Sequence, residues 1–140
     1  MDSITSLICE ISSLKILKIE IDYDVHASPL VEILGDHLTF VEYLLFDFYI
    51  DLQSFEYFAS KCKANLKKWA ICIDSNPVFL SLRKDYLVCV NNYQKVHNSL
   101  KMFGINKHRS NWTSEELEII NSLKNQGVDI VDILFDMFDI

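Results

Sequence analysis

Four histidines, four cysteines and scattered carboxylates are the residues of this 140-residue chain with the chemistry for metal binding, acid–base work or nucleophilic attack. Their spacing builds none of the usual cages. His26, His37, His97 and His108 fall in or near expected loops and helix ends with neither HExxH nor CxxC beside them, so they read as surface histidines. Asp22 with Asp24 and Asp132 with Asp136 bring carboxylates close together, but no DxDxDG loop surrounds them, and acidic residues after strands commonly solvate turns. Three isolated glycines leave no loop able to cradle phosphates on backbone amides. Lys61, Lys63, Lys67 and Lys68 form the one dense basic stretch, where a helix end meets a strand start and cations complement exposed carbonyls. Asn111-Trp112-Thr113 fits a glycosylation acceptor, yet its Thr is better placed as a helix cap. The expectation is no catalytic residue, no cofactor and no metal.

Composition narrows the partners. The 20 acidic residues outweigh 13 basic ones for a net charge of -7, which opposes attraction to nucleic acid or an anionic membrane surface, so neither partner is expected. Half the residues are apolar, with nine Phe, six Tyr and two Trp, and only three Gly and two Pro are available for linkers. One domain over residues 1–140 follows. Cys9, Cys62, Cys72 and Cys89 make no CxxC pair and suit reduced thiols. The opening "MDSITSLICEISSL" carries Asp where a secretory signal carries positive charge, and Asp47 interrupts "YLLFDFYI" well short of the ~18 apolar residues of a membrane span. A soluble protein of the cytoplasm or nucleus is expected.

The elements that would position any surface come from a recurring phrase. Leu14, Leu17, Ile19 and Ile21 are matched by Val41, Leu44, Phe46 and Phe48, by Leu66, Trp69, Ile71 and Ile73, by Leu100, Phe103 and Ile105, and by Val128, Val131, Ile133 and Phe135. Only Lys107 breaks the pattern. The copies recur every 25 to 34 residues, roughly the size of one strand plus one helix. The segments between them carry helix signals. In "ASPLVEILGDHL" Ser28 is a cap, Pro29 an early helical residue and Gly35 an end; in "DLQSFEYFASKC" Phe55, Phe58, Ala59 and Cys62 share a face. A longer helix follows Pro77, from Val78 to about Tyr93. In "TSEELEIINSLKNQG" Thr113 and Glu116 form a capping box, Leu117, Ile120 and Leu123 form the inner face, and Gly127 closes the helix.

Strand and helix alternation predicts an α/β chain with one parallel sheet, a leucine-rich-repeat-like solenoid of about five strand–helix units, because units this small bury their apolar faces only against one another. Residues 1–10 would cap the amino-terminal edge and residues 113–140 form the last repeat or cap. A small doubly wound α/β enzyme has similar alternation and stays open as an alternative, as does an orphaned, non-functional fragment of a longer repeat protein.

The phrases "SSLKILKIEI", "SFEYFASKCKANLKKWAI", "HNSLKMFGIN" and "NWTSEELEIINSLKNQGVDIVDI" resemble the carboxy-terminal repeats of fungal F-box/leucine-rich-repeat proteins. In that family the repeats select a substrate, and an amino-terminal F-box docks on a ubiquitin ligase. No F-box is legible before "SSLKILKIEI", so adaptor binding is not expected. The position that often carries Asn or Cys in such repeats holds Asp22, Tyr49, Asp74, His108 and Asp136, so no buried asparagine ladder is expected either.

The resemblance implies an unidentified protein as partner. Strand alternation supplies a surface for it: with Leu17, Ile19 and Ile21 inward, Ile16, Lys18 and Glu20 face the open side of the sheet. The equivalents are Tyr43, Leu45 and Asp47; Lys68, Ala70 and Cys72; Met102, Gly104 and Asn106; and Ile130, Asp132 and Leu134.

Overall fold

The computed structural model describes residues 14–21, 27–74, 81–106 and 111–132. His26, His108, Asp22, Asp24, Asp136, Leu134, Pro77, Cys9 and the expected edge cap at residues 1–10 lie outside them. Strands and helices alternate: β1 (Ile16–Glu20), α1 (Ser28–His37), β2 (Tyr43–Tyr49), α2 (Leu52–Lys61), β3 (Lys68–Cys72), α3 (Arg83–His97), β4 (Met102–Ile105), α4 (Ser114–Asn125) and β5 (Asp129–Asp132). The five strands form one parallel sheet in chain order. Among the described residues the order never reverses, whereas a doubly wound sheet opens its ligand crevice where it does.

Equivalence between units is written into the backbone. Glu42 and Tyr43 both donate to the Lys15 carbonyl at 2.7 and 3.0 Å, Lys67 and Lys68 to Glu42 at 2.7 and 3.1 Å, and Lys101 and Met102 to Lys67 at 2.7 and 3.1 Å. At these three junctions one carbonyl receives two successive amides from the next unit, which fixes the stagger of the strands; at the last, the Lys101 carbonyl takes the Asp129 amide at 2.9 Å while the Val128 amide turns back to Leu123. The helices pack as neighbours in the same order, α1 on α2, α2 on α3 and α3 on α4.

In β2, Leu44, Phe46 and Phe48 are buried while Tyr43, Leu45, Asp47 and Tyr49 are half-exposed, the period-two signature of a sheet covered on one face. The covered face meets Leu34 of α1, Phe55 and Phe58 of α2, Tyr86 and Tyr93 of α3 and Leu123 of α4 in one core. Trp69 is its centre, with rings of Phe55, Phe58, Tyr93 and Phe103 within 5.0 to 5.6 Å. Tyrosine tips at the core rim find carbonyls: Tyr86 donates to Ile50 at 2.7 Å, and Tyr93 donates to Ala64 while accepting from Leu66.

Several local expectations change. Ala27, not Ser28, stands at the α1 cap, and the Ser28 hydroxyl instead donates to Asp51, whose carboxylate also caps α2 by accepting from the Ser54 amide at 3.0 Å. Gly35 does not end α1. It lies inside the helix, where an added Cβ would come within 3.1 Å of the Phe58 Cα, so its small size lets α1 and α2 approach closely. The long helix runs on from Arg83 to His97, past Tyr93, and its left-handed cap is Asn98 (φ 52°), whose amide returns to Gln94. In α4 the capping box of Thr113 and Glu116 forms as expected, but Leu117 is 43% exposed and Glu116 occupies the inner face with Ile120 and Leu123.

The last strand enters one residue early. At the end of α4, Gly127 (φ 86°) and Val128 donate back to Lys124 and Leu123, a Schellman closure in which the buried Val128 meets Leu123. The cap thereby uses Val128, and Asp129 follows directly opposite Met102, with Ile130 opposite Phe103 and Asp132 opposite Ile105.

Candidate interaction face

Register across the sheet assembles the open face row by row. The first row reads Ile16, Tyr43, Lys68, Met102 and Asp129, and the second Lys18, Leu45, Ala70, Gly104 and Val131. Glu20 and Asp47 begin a third, and a shift in β2 then sets Tyr49 opposite Cys72. Ile16, Lys18, Glu20, Tyr43, Leu45, Asp47, Lys68 and Met102 therefore stand together on one surface.

Six expected members do not contribute as expected: Cys72 and Gly104 are buried in β3 and β4, and four others depart in different ways. Ala70 lies in the second row but is fully buried, so it offers no contact area. Asn106 is buried at the end of β4, where its amide accepts from the Ile73 N–H and donates to the Ile73 carbonyl, each at 2.7 Å. That pair of bonds ties the ends of β3 and β4 together through one buried asparagine, two residues before the position at which the repeat pattern would carry one. Ile130 and Asp132 fall in the core-facing register because of the early entry of β5, and Ile130 packs against the core. Asp129 and Val131 replace them, an exchange foreshadowed by Gly127-Val128, since a Schellman cap needs an apolar residue just after its glycine.

The chemistry of the face is that of contact. Ile16 is 49% exposed, and the Lys68 ammonium lies 5.5 Å from the centre of the Tyr43 ring. Lys18 pairs along its own strand with Glu20 at 3.0 Å. The Cys72 thiol is buried and donates to Asp47 at 4.0 Å; burial, then the Asp47 charge, pushes its pKa up to about 12, so it stays a protonated thiol. Cys62 and Cys89 are likewise free, each raised chiefly by burial to about 11.

The most concentrated charge lies elsewhere. Arg83 and Glu116, each at most 3% exposed, form a two-pronged ion pair through Nε and Nη2, and Nη2 also donates to the Asn111 carbonyl at 3.0 Å. The Trp112 ring covers the guanidinium at 4.5 Å. Burial pushes the Glu116 carboxyl up, but hydrogen bonds from Arg83 and Thr113 and the Arg83 charge together hold it below its ordinary range. Enclosed and hydrogen-bonded in this way, the pair acts as a latch between α3 and α4. Sequence patterning missed it because the partners lie on different helices.

His37 is exposed at the end of α1, and His97 stacks on Tyr93 with its Nδ1 2.9 Å from Asn65 Oδ1. Lys67 pairs with Glu42 at 3.2 Å. Among the described residues no group of three His, Cys, Asp or Glu side chains could hold a metal ion, and no helix is long and apolar enough to cross a membrane. Comparison of the whole chain with protein-family models, with curated proteins and with solved structures finds no match.

Proposed function

We propose that the chain is a divergent leucine-rich-repeat-like solenoid that acts as a protein-interaction module, in the manner of the substrate-selecting repeats of F-box ubiquitin-ligase adaptors. The observation that carries this reading is the sheet face itself. Strand order follows chain order, helices line one face in the same order, and the other face offers Ile16, Tyr43, Leu45, Met102 and Val131 among Lys18, Lys68 and Asp129. Aromatic and Met side chains supply large contact area at interface centres, with charges at the rim setting orientation. The partner is an unidentified protein, and recruitment to a ligase would need an F-box in addition to the repeats.

Photo-crosslinking amino acids placed singly at Tyr43, Leu45 and Val131, with Glu118 on exposed α4 as control, test the reading in cell extract. Adducts of one common mass at the three sheet positions and none at Glu118 are expected. Adducts of unrelated masses at all four positions would defeat it.

A further inference from the structure

A second surface lies in the helix layer. A trough of about 460 Å³ separates α2 from α3, with Ala59, Val88, Cys89 and Val96 as its apolar lining and Glu56 and Asp85 as its charged members. Val96 is 81% exposed, so its isopropyl group is open to contact at the end of the trough. Neither Glu56 nor Asp85 takes part in an ion pair among the described residues. After burial, the charges of both carboxylates are what raise the Cys89 thiol, so both fields converge on the same stretch of the trough.

Shape and charge select the occupant. Asp85, Val88, Cys89, Asn92 and Val96 recur at three- and four-residue steps, so the trough follows α3 for about 16 Å, the length of three helical turns and longer than a compact small molecule needs. Its carboxylates come from the first turn of α3 and from α2, while Val96 marks the far end. A helix running antiparallel to α3 would bring its own last turn to the carboxylates, where Lys or Arg is favoured both by them and by that helix's own dipole.

We propose that this trough docks a short amphipathic helix of a partner protein, with small apolar side chains over Ala59, Val88 and Val96 and Lys or Arg in its last turn against Glu56 and Asp85. Such docking reads as apolar anchors at i, i+4 and i+7, with charge setting direction. It is independent of the sheet face, since no residue is shared between the two surfaces.

A labelled 14-residue stapled helix with an Ala/Leu stripe and two Arg in its last turn, titrated against the 140-residue chain, is the direct probe. The Arg peptide should bind at least ~10-fold more tightly than its Glu counterpart at low salt, and the gap should narrow as salt rises. Glu56→Gln with Asp85→Asn should erase the preference, and Val96→Ser should weaken both peptides, while Tyr43→Ala should leave binding unchanged. Equal affinity for both peptides, no binding by about 1 mM, or loss on Tyr43→Ala but not on Val96→Ser would overturn the proposal. So would displacement of the Arg peptide by an equal concentration of hexylammonium, the mark of a small-amine site.

Discussion

The interface of α3 with α2 and β3 and the interface of α3 with α4 do the same topological work by different physics. The first is a cluster of rings: Phe55 lies 5.0 Å from Trp69 and 5.3 Å from Tyr86, and Tyr93 meets Trp69 edge-on. The second adds polar contacts to the buried Ile120 and Leu123 of α4, with the Arg83–Glu116 pair at one end and Asn91 at the other, where its Oδ1 accepts from Gln126 at 3.0 Å and from Ser122 at 3.4 Å. Apolar burial makes little directional demand, whereas a two-pronged guanidinium–carboxylate contact is directional and holds one relative placement of the helices. The difference teaches that neighbouring units can be fixed either by bulk or by address, and that the carboxy-terminal unit relies on address.

The largest effect should come from the ring cluster. Trp69→Ala should cost about 3–5 kcal/mol by denaturant unfolding, because the surrounding rings cannot collapse fully into the void. Trp69→Phe should cost clearly less. Among the described residues the Trp69 Nε1 is buried with no hydrogen-bond partner, and losing an unsatisfied donor worth about 1–3 kcal/mol offsets part of the lost packing.

The latch should answer differently to paired changes. Arg83→Met alone strands the Glu116 carboxylate in the interior and should cost about 3 kcal/mol or more, while Arg83→Met with Glu116→Leu should recover much of the loss, since apolar replacement of a buried pair is often nearly neutral. A double variant no more stable than Arg83→Met alone would mean that the Thr113 capping box, which also depends on Glu116, outweighs the ion pair. Ring-cluster variants should show no such rescue by pairing.

The smallest effect is on the pH profile. Burial pushes the Asp51 carboxyl up, but the bonds from Ser28 and Ser54 outweigh it and leave it lowered, as Arg83 and Thr113 do for Glu116. With folded values below unfolded ones, their stabilisation is present above the ordinary carboxylate range near 4 and is lost as pH falls through the folded values. Thermal melts should therefore drop below about pH 4, and less steeply in the Arg83→Met/Glu116→Leu double variant.

Much of this architecture is legible in the residues alone, because the signals are local. Alternation around Leu44, Phe46 and Phe48 marks a half-covered strand, and Thr113 with Glu116 marks a helix start. What escaped depends on partners far along the chain. Leu117 looks like a core residue until Arg83 draws Glu116 inward, and Gly35 looks like a helix end until Phe58 is packed against it. Asn106 gives no sign of its role without the Ile73 backbone beside it. For the candidate face, the first two rows from β1 to β3 follow directly from alternation; the third slips where β2 shifts register before Cys72, and the last strand slips because Val128 serves the helix cap before the strand begins.

The orientation of β2 underlies every assignment on both faces, and a pair of adjacent substitutions tests it most directly. Leu44 is fully buried and Tyr43 half-exposed on the opposite side, so thermal and denaturant melts of Leu44→Ala should show a loss of about 2–5 kcal/mol, with Tyr43→Ala folding almost as stably as the parent chain. The reverse result, Tyr43→Ala unfolding the chain while Leu44→Ala does not, would place β2 one residue out of register and exchange the open face for the core.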